Sequence, residues 1–136
     1  MLRLGFLPSD FNPMLLMLGE AEDLRAFARV LRRIAHDGQA VRLEQLDFCR
    51  ASWTSVTLVR GPAPHGLYSA QPAKPQEFIW RLDAAHAAAF ADQADDLAAP
   101  TRPAGSELLQ CSAAEQIVVK LSRGEYTDDF LLPEAT

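Results

Sequence analysis

Apolar and polar positions along this chain switch between two periods. Leu15, Leu16, Met17 and Leu18 form an uninterrupted apolar run that predicts a buried strand, and Gly19 breaks it. Glu20, Glu22 and Asp23 place negative charge where a helix N-terminus favours it. Leu24, Phe27, Leu31 and Ile34 follow at spacings of three and four, the core-facing stripe of a helix that Asp37-Gly38 should end. Val41 to Leu46 alternates with Arg42 and Glu44 as a half-buried strand does, and Ser55 to Arg60 is rich in β-formers. Gly61, Pro62 and Pro64 then break the chain.

The second half repeats this order. Phe78, Ile79 and Trp80 predict a strand, Asp83 a helix cap, and Ala87, Phe90, Ala94 and Leu97 a second helical stripe. After the break at Pro100, Pro103 and Gly105, strands are expected over Glu107 to Cys111 and Ile117 to Ser122, with a turn near Ala113-Ala114. A single shift of 63 positions carries Phe27 onto Phe90, Glu44 onto Glu107, Leu58 onto Leu121 and Arg60-Gly61 onto Arg123-Gly124. The helix stripes keep the same offset without a gap, which points to an internal duplication. The expected fold class is α+β: two β-α-β-β units, residues 14–61 and 77–124, forming a largely antiparallel sheet with both helices on one face. Residues 62–76 form the connector, in which Leu67 to Ala70 add a short edge strand, and 125–136 an acidic tail. Neither unit alone covers its apolar face, so residues 1–136 make one domain.

Composition narrows the function classes. With 49% hydrophobic and 23% charged residues, the chain is neither disordered nor fibrous. A net charge of −5 disfavours nucleic acid as a partner, because phosphates require clustered positive charge. The apolar run Met14 to Leu18 is far too short to cross a membrane. Pro8 and Asp10 interrupt the place where a secretory signal needs its apolar stretch, so the expected location is cytoplasmic. Cys49 and Cys111 make no CxxC or zinc spacing and read as small buried hydrophobes.

No common catalytic motif is present: no GxSxG elbow, P-loop, GxGxxG or HExxH. The expectation is therefore no catalytic residue, no metal and no cofactor. His36, His65 and His86 lack metal-ligand spacing, and Asp83 with His86 reads as a solvated pair in the first turn of a helix. Ser9-Asp10 with His65 would suit a triad only through geometry that sequence does not fix. Glu44 and Glu107, equivalent under the shift, are carboxylates placed symmetrically, as paired acid–base work would need or as polar positions on two strands would give.

Charge on the helix faces says more. Arg25, Arg29, Arg32, Arg33 and His36 lie opposite the first stripe, and their equivalents in the second helix are Ala88, Asp92, Asp95, Asp96 and Ala99. Neighbouring helices would thus present a basic and an acidic face, either as solvated surfaces or as an electrostatic docking surface for a partner or a second copy. The tail interleaves Glu125, Asp128 and Asp129 with Tyr126 and Phe130, aromatics that either anchor at an interface or cover the end of the core. Phe6 to Pro13 has a similar look, as a binding loop or as an arm over the sheet. Together these features suggest a non-enzymatic protein-interaction module, such as an immunity- or inhibitor-like protein that blocks a basic partner. The alternative is a small-ligand sensor or carrier with a pocket between the units, lined by Trp53, Tyr68 and Trp80.

Overall fold

A computed structural model describes residues 1–8, 13–71, 74–111 and 116–126. The chain runs β1 (Leu2–Leu7), β2 (Met14–Leu18), α1 (Ala21–Asp37), β3 (Val41–Arg42), a 3-10 turn (Leu43–Gln45), β4 (Cys49–Ser52) and β5 (Ser55–Arg60). It continues through β6 (Gly66–Gln71), β7 (Lys74–Leu82), α2 (Ala84–Leu97), β8 (Gly105–Leu108) and β9 (Val118–Arg123). The α+β class holds, but the single, largely antiparallel sheet does not. There are two mixed sheets, one in the order β4-β1-β2-β9-β8 and the other β3-β5-β7-β6. The physical reason is that the halves exchange strands. β2 lies parallel to β9, and β5 lies parallel to β7, so the centre of each sheet is a parallel pair from distant parts of the chain. Antiparallel neighbours flank these pairs: β1 beside β2, β6 beside β7, β3 beside β5, and β8 beside β9.

Three further expectations are corrected. Of the segment Phe6 to Pro13, expected as a loop or an arm, Phe6 and Leu7 belong to an interior strand, Leu2–Leu7, antiparallel to β2 and parallel to β4, while residues 9–12 lie outside the described residues. The alternation expected over Val41 to Leu46 ends after Arg42, because the chain turns there to bury Leu43. The connector proposed over 62–76 contains β6 and the start of β7, so the edge strand inside it is real and longer than expected. The turn expected at Ala113-Ala114 lies outside the described residues.

One core joins both sheets and both helices. Leu24, Phe27, Leu31 and Ile34 of α1 are all fully buried, as their spacing required. At the centre the Trp80 ring lies between Phe27 of α1 and Phe90 of α2, each 6.0 Å away by centroid. Phe6 of one sheet meets Phe78 of the other at 4.8 Å. β2 explains why its sequence is apolar throughout: Leu15 and Met17 face this core, whereas Leu16 and Leu18 enter a second cluster with Leu7, Met14 and Tyr126.

The helix ends are closed by named groups. Glu20 and Asp23 form a reciprocal capping box at the start of α1, with the Glu20 backbone N–H donating to Asp23 Oδ2 at 2.9 Å. At the other end Gly38 adopts φ +70°, and its N–H donates to the Ile34 carbonyl. A side chain at Gly38 would also meet the Arg60 guanidinium, which donates to the Ala35 carbonyl at 3.1 Å. Arg123 serves the end of α2 in the same way, donating to the carbonyls of Leu97, Ala99 and Arg102.

Candidate functional site

The structure brings together three side chains that the sequence keeps apart. Asp83 follows β7 and caps α2, its Oδ1 accepting the His86 backbone N–H at 2.7 Å. The same oxygen lies 2.7 Å from His86 Nδ1. His65, the residue before β6, places Nδ1 4.0 Å from Asp83 Oδ2. Its other nitrogen, Nε2, lies 2.9 Å from the Gly61 carbonyl, and its own carbonyl accepts the Tyr68 hydroxyl at 3.1 Å. The two imidazoles are 5.4 Å apart by ring centroid. All three residues are half-buried, so the cluster is open to solvent on one side. The His86 backbone N–H is the main reason the Asp83 carboxyl sits below its ordinary range; burial opposes it, and the two imidazoles add to it. Spacing in the sequence does not reveal this cluster, because His65 lies across a hairpin from the helix that carries the other two groups.

Both thiols are held in the protonated form by burial. Burial, and to a lesser degree the Asp83 carboxylate, pushes Cys111 up to about 11; burial likewise pushes Cys49 up to about 12. Both are free and buried, as the sequence suggested.

The arginine face of α1 is only half available. Arg32 bridges to Asp92 at 2.9 Å and Asp95 at 2.6 Å on α2, and Arg25 donates to the Ala98 carbonyl. The two expected faces therefore hold each other, through exposed pairs worth little individually. Arg29 and Arg33 remain exposed, one turn apart, with no ion-pair partner among the described residues. Beside them a groove of about 320 Å³ is lined by Arg33, Gln39, Ala40, Val41, Arg42, Gln45 and Leu46.

The aromatic pocket is not assembled. Trp80 is fully buried, whereas Trp53 is 75% exposed, at φ +55° on the turn between β4 and β5. Tyr68 pairs across from Ile79, and Leu67 from Trp80, so Tyr68 points to the opposite face of its sheet. In the tail, Glu125 is exposed and accepts the Ser106 hydroxyl. Tyr126 packs on the Leu16–Leu18 cluster and accepts a hydrogen bond from Lys120 at 2.6 Å. Asp128, Asp129 and Phe130 lie outside the described residues, as do Ser9 and Asp10.

Glu44 and Glu107 are not paired with each other. Glu107 takes Arg102 at 2.9 Å. Glu44 accepts the Val56 backbone N–H at 3.1 Å and the Ser55 hydroxyl, and it pairs with Arg42 at 3.1 Å. Burial alone would raise the Glu44 carboxyl, but Ser55, the backbone N–H groups of Glu44 and Val56, and Arg42 outweigh it and leave it below the ordinary value. A depressed folded-state value stabilises the fold above the unfolded pKa near 4.3, and the contribution is lost as pH falls through the folded value. Urea titrations between about pH 5 and pH 3 should therefore show wild type losing more stability than Glu44→Gln. Parallel pH profiles for the two proteins would rule out this role for Glu44.

The fold and its surface thus define an α+β protein with two mixed sheets and, among the described residues, a histidine–carboxylate cluster and a cationic strip beside a groove. No helix among the described residues is long and apolar enough to cross a membrane. Comparisons with protein-family models, curated proteins and solved structures find no match.

Proposed function

We propose that this protein is a non-enzymatic interaction module built by internal duplication, and that it receives an acidic segment of a partner on Arg29, Arg33 and the adjoining groove. The observation that carries the reading is that these two exposed arginines have no ion-pair partner among the described residues, whereas Arg32 on the same face is held by Asp92 and Asp95. An exposed cation held beside an apolar and amide-lined groove is a surface for a carboxylate-bearing chain. This reading differs from the basic partner suggested by net charge and the acidic tail; the pairing of Arg32 with Asp92 and Asp95 removes part of the acidic face of α2 as a docking surface. The two free, buried thiols suit a reducing compartment such as the cytoplasm.

Strand registers support the duplication. Under the 63-residue shift the pair Arg3–Leu18 becomes Gly66–Arg81, and Leu4–Met17 becomes Leu67–Trp80; both are observed. The same shift exchanges Met14–Val118 with Ser55–Glu77. Residues 20 and 83 cap their helices at φ −90° with ψ 173° and 175°. Arg32 and Asp95, equivalent positions, touch each other, as residues near a twofold axis between the helices would. The registers of β3–β5 and β8–β9 depart from the pattern by a few residues. The counterpart of β4 falls on residues 112–115, outside the described residues.

The test is capture from native extract at low and high salt, with wild type and with Arg29→Glu/Arg33→Glu. An acidic partner, or a second copy of the chain, should be retained by wild type at low salt only, and lost from the variant at both. Identical captured proteins for both baits would exclude this surface.

A further inference from the structure

We propose that His65, Asp83 and His86 form a binding site for one divalent first-row transition-metal ion, with zinc as its probe. Two imidazoles and one carboxylate make a donor set that suits such ions and leaves positions for water or a further ligand. The donors come from three places in the chain: the residue before β6, the junction of β7 with α2, and the first turn of α2. Their ligand atoms all lie within 4.8 Å of one another.

Hydrogen bonding sets the direction of the His65 lone pair. The Gly61 carbonyl can only accept, so the proton of a neutral His65 ring resides on Nε2. Nδ1 is then a bare acceptor, and it faces Asp83 Oδ2, another acceptor, at 4.0 Å. Two acceptors aimed at one space call for a cation between them. A helix cap explains Asp83 and His86, but it does not explain why His65 is turned toward them. The Gly61 carbonyl is also the outer partner that metal-bound histidines use to fix ring orientation.

The His65–Asp83 gap is close to what zinc needs, and the ligand atoms, which span up to 4.8 Å, draw together on binding. Two zinc bonds of about 2.1 Å at a tetrahedral angle place their donor atoms roughly 3.4 Å apart. His65 and Asp83 therefore need to close by roughly half an ångström. His86 Nδ1 and Asp83 Oδ1 are now bridged at hydrogen-bond distance. On binding, the ion takes the place of the proton at His86 Nδ1: a neutral ring carries its proton on Nε2 instead, with no net release, and an imidazolium gives its Nδ1 proton to solvent while keeping that on Nε2. Asp83 Oδ1 keeps the His86 backbone N–H, so the helix remains capped while Oδ2 serves the ion.

The experiment uses the full chain without an affinity tag, stripped with chelator and titrated with zinc by calorimetry. One zinc per chain is expected, together with a rise in melting temperature. His65→Gln and His86→Gln should each raise the dissociation constant at least about tenfold, while His36→Gln, on the exposed face of α1, should not change it. Melting in chelator checks that the variants fold. Cobalt absorption of the wild type gives a second readout: nitrogen and oxygen ligation should appear without thiolate charge transfer. Absence of stoichiometric zinc binding, an unaltered dissociation constant in His65→Gln, or a thiolate band that brings in Cys111 would overturn the proposal.

Discussion

Trp80→Ala should destabilise the fold by about 3–5 kcal/mol, read as a lower urea midpoint with an unchanged slope. The indole is fully buried, and it is the element through which the two helices meet β7. Truncating it leaves facing Phe27 and Phe90 rings without their shared neighbour, and the surrounding sheets relax only partly. Against a typical stability of about 5–15 kcal/mol, this is a large fraction. Trp80→Phe should behave differently. The indole N–H is buried without a hydrogen-bond partner among the described residues, so removing it recovers an unmet desolvation cost. That gain offsets the lost ring area, and the net change should stay within roughly 1.5 kcal/mol. If the alanine variant cost less than about 1 kcal/mol, Trp80 would not be the centre of this core.

Leu16→Ala should cost about 2–5 kcal/mol although Leu16 faces away from both helices. It is fully buried in the second cluster, with Leu18 and with Leu7, Met14 and Tyr126 at its edge. Tyr126→Ala should carry part of the same penalty, and the double variant should cost less than the sum, because the two side chains share one packed space. Strictly additive costs in urea titrations would mean that Tyr126 does not cover Leu16. The result also bears on the tail: its first aromatic packs on the sheet, which is what buried aromatics usually do.

Helices were the most legible elements in the sequence. The stripes of both helices, the acidic first turn and closing Asp37-Gly38 of α1, and the Asp83 cap of α2 each state a local preference, and the packing agrees with them. β5 was equally plain from its β-branched residues. β1 was missed although Leu2, Leu4 and Phe6 alternate with Arg3 and Gly5, because the following prolines suggested a loop. Sheet topology was not legible at all. An apolar run such as Leu15 to Leu18 says that both faces are buried, but not which strand lies alongside. Parallel partners come from far along the chain, and no local residue pattern names them. The histidine–carboxylate cluster failed to appear for the same reason: Asp83 and His86 are local, while His65 arrives through a hairpin. The arginine and aspartate faces were legible from helical periodicity, yet their mutual pairing depended on how the helices met.

The exchanged strands also fix when this protein can form during its synthesis. β2 leaves the ribosome about a hundred residues before β9 but finds its parallel neighbour only when β9, ending at Arg123, has been made. β5 waits for β7 in the same way. At synthesis rates of about 5–20 residues per second, the apolar run Leu15 to Leu18 spends several seconds without that neighbour. Such non-local pairing slows folding and leaves strand edges open to other chains. Until β9 has been made, β2 is thus an unfinished edge.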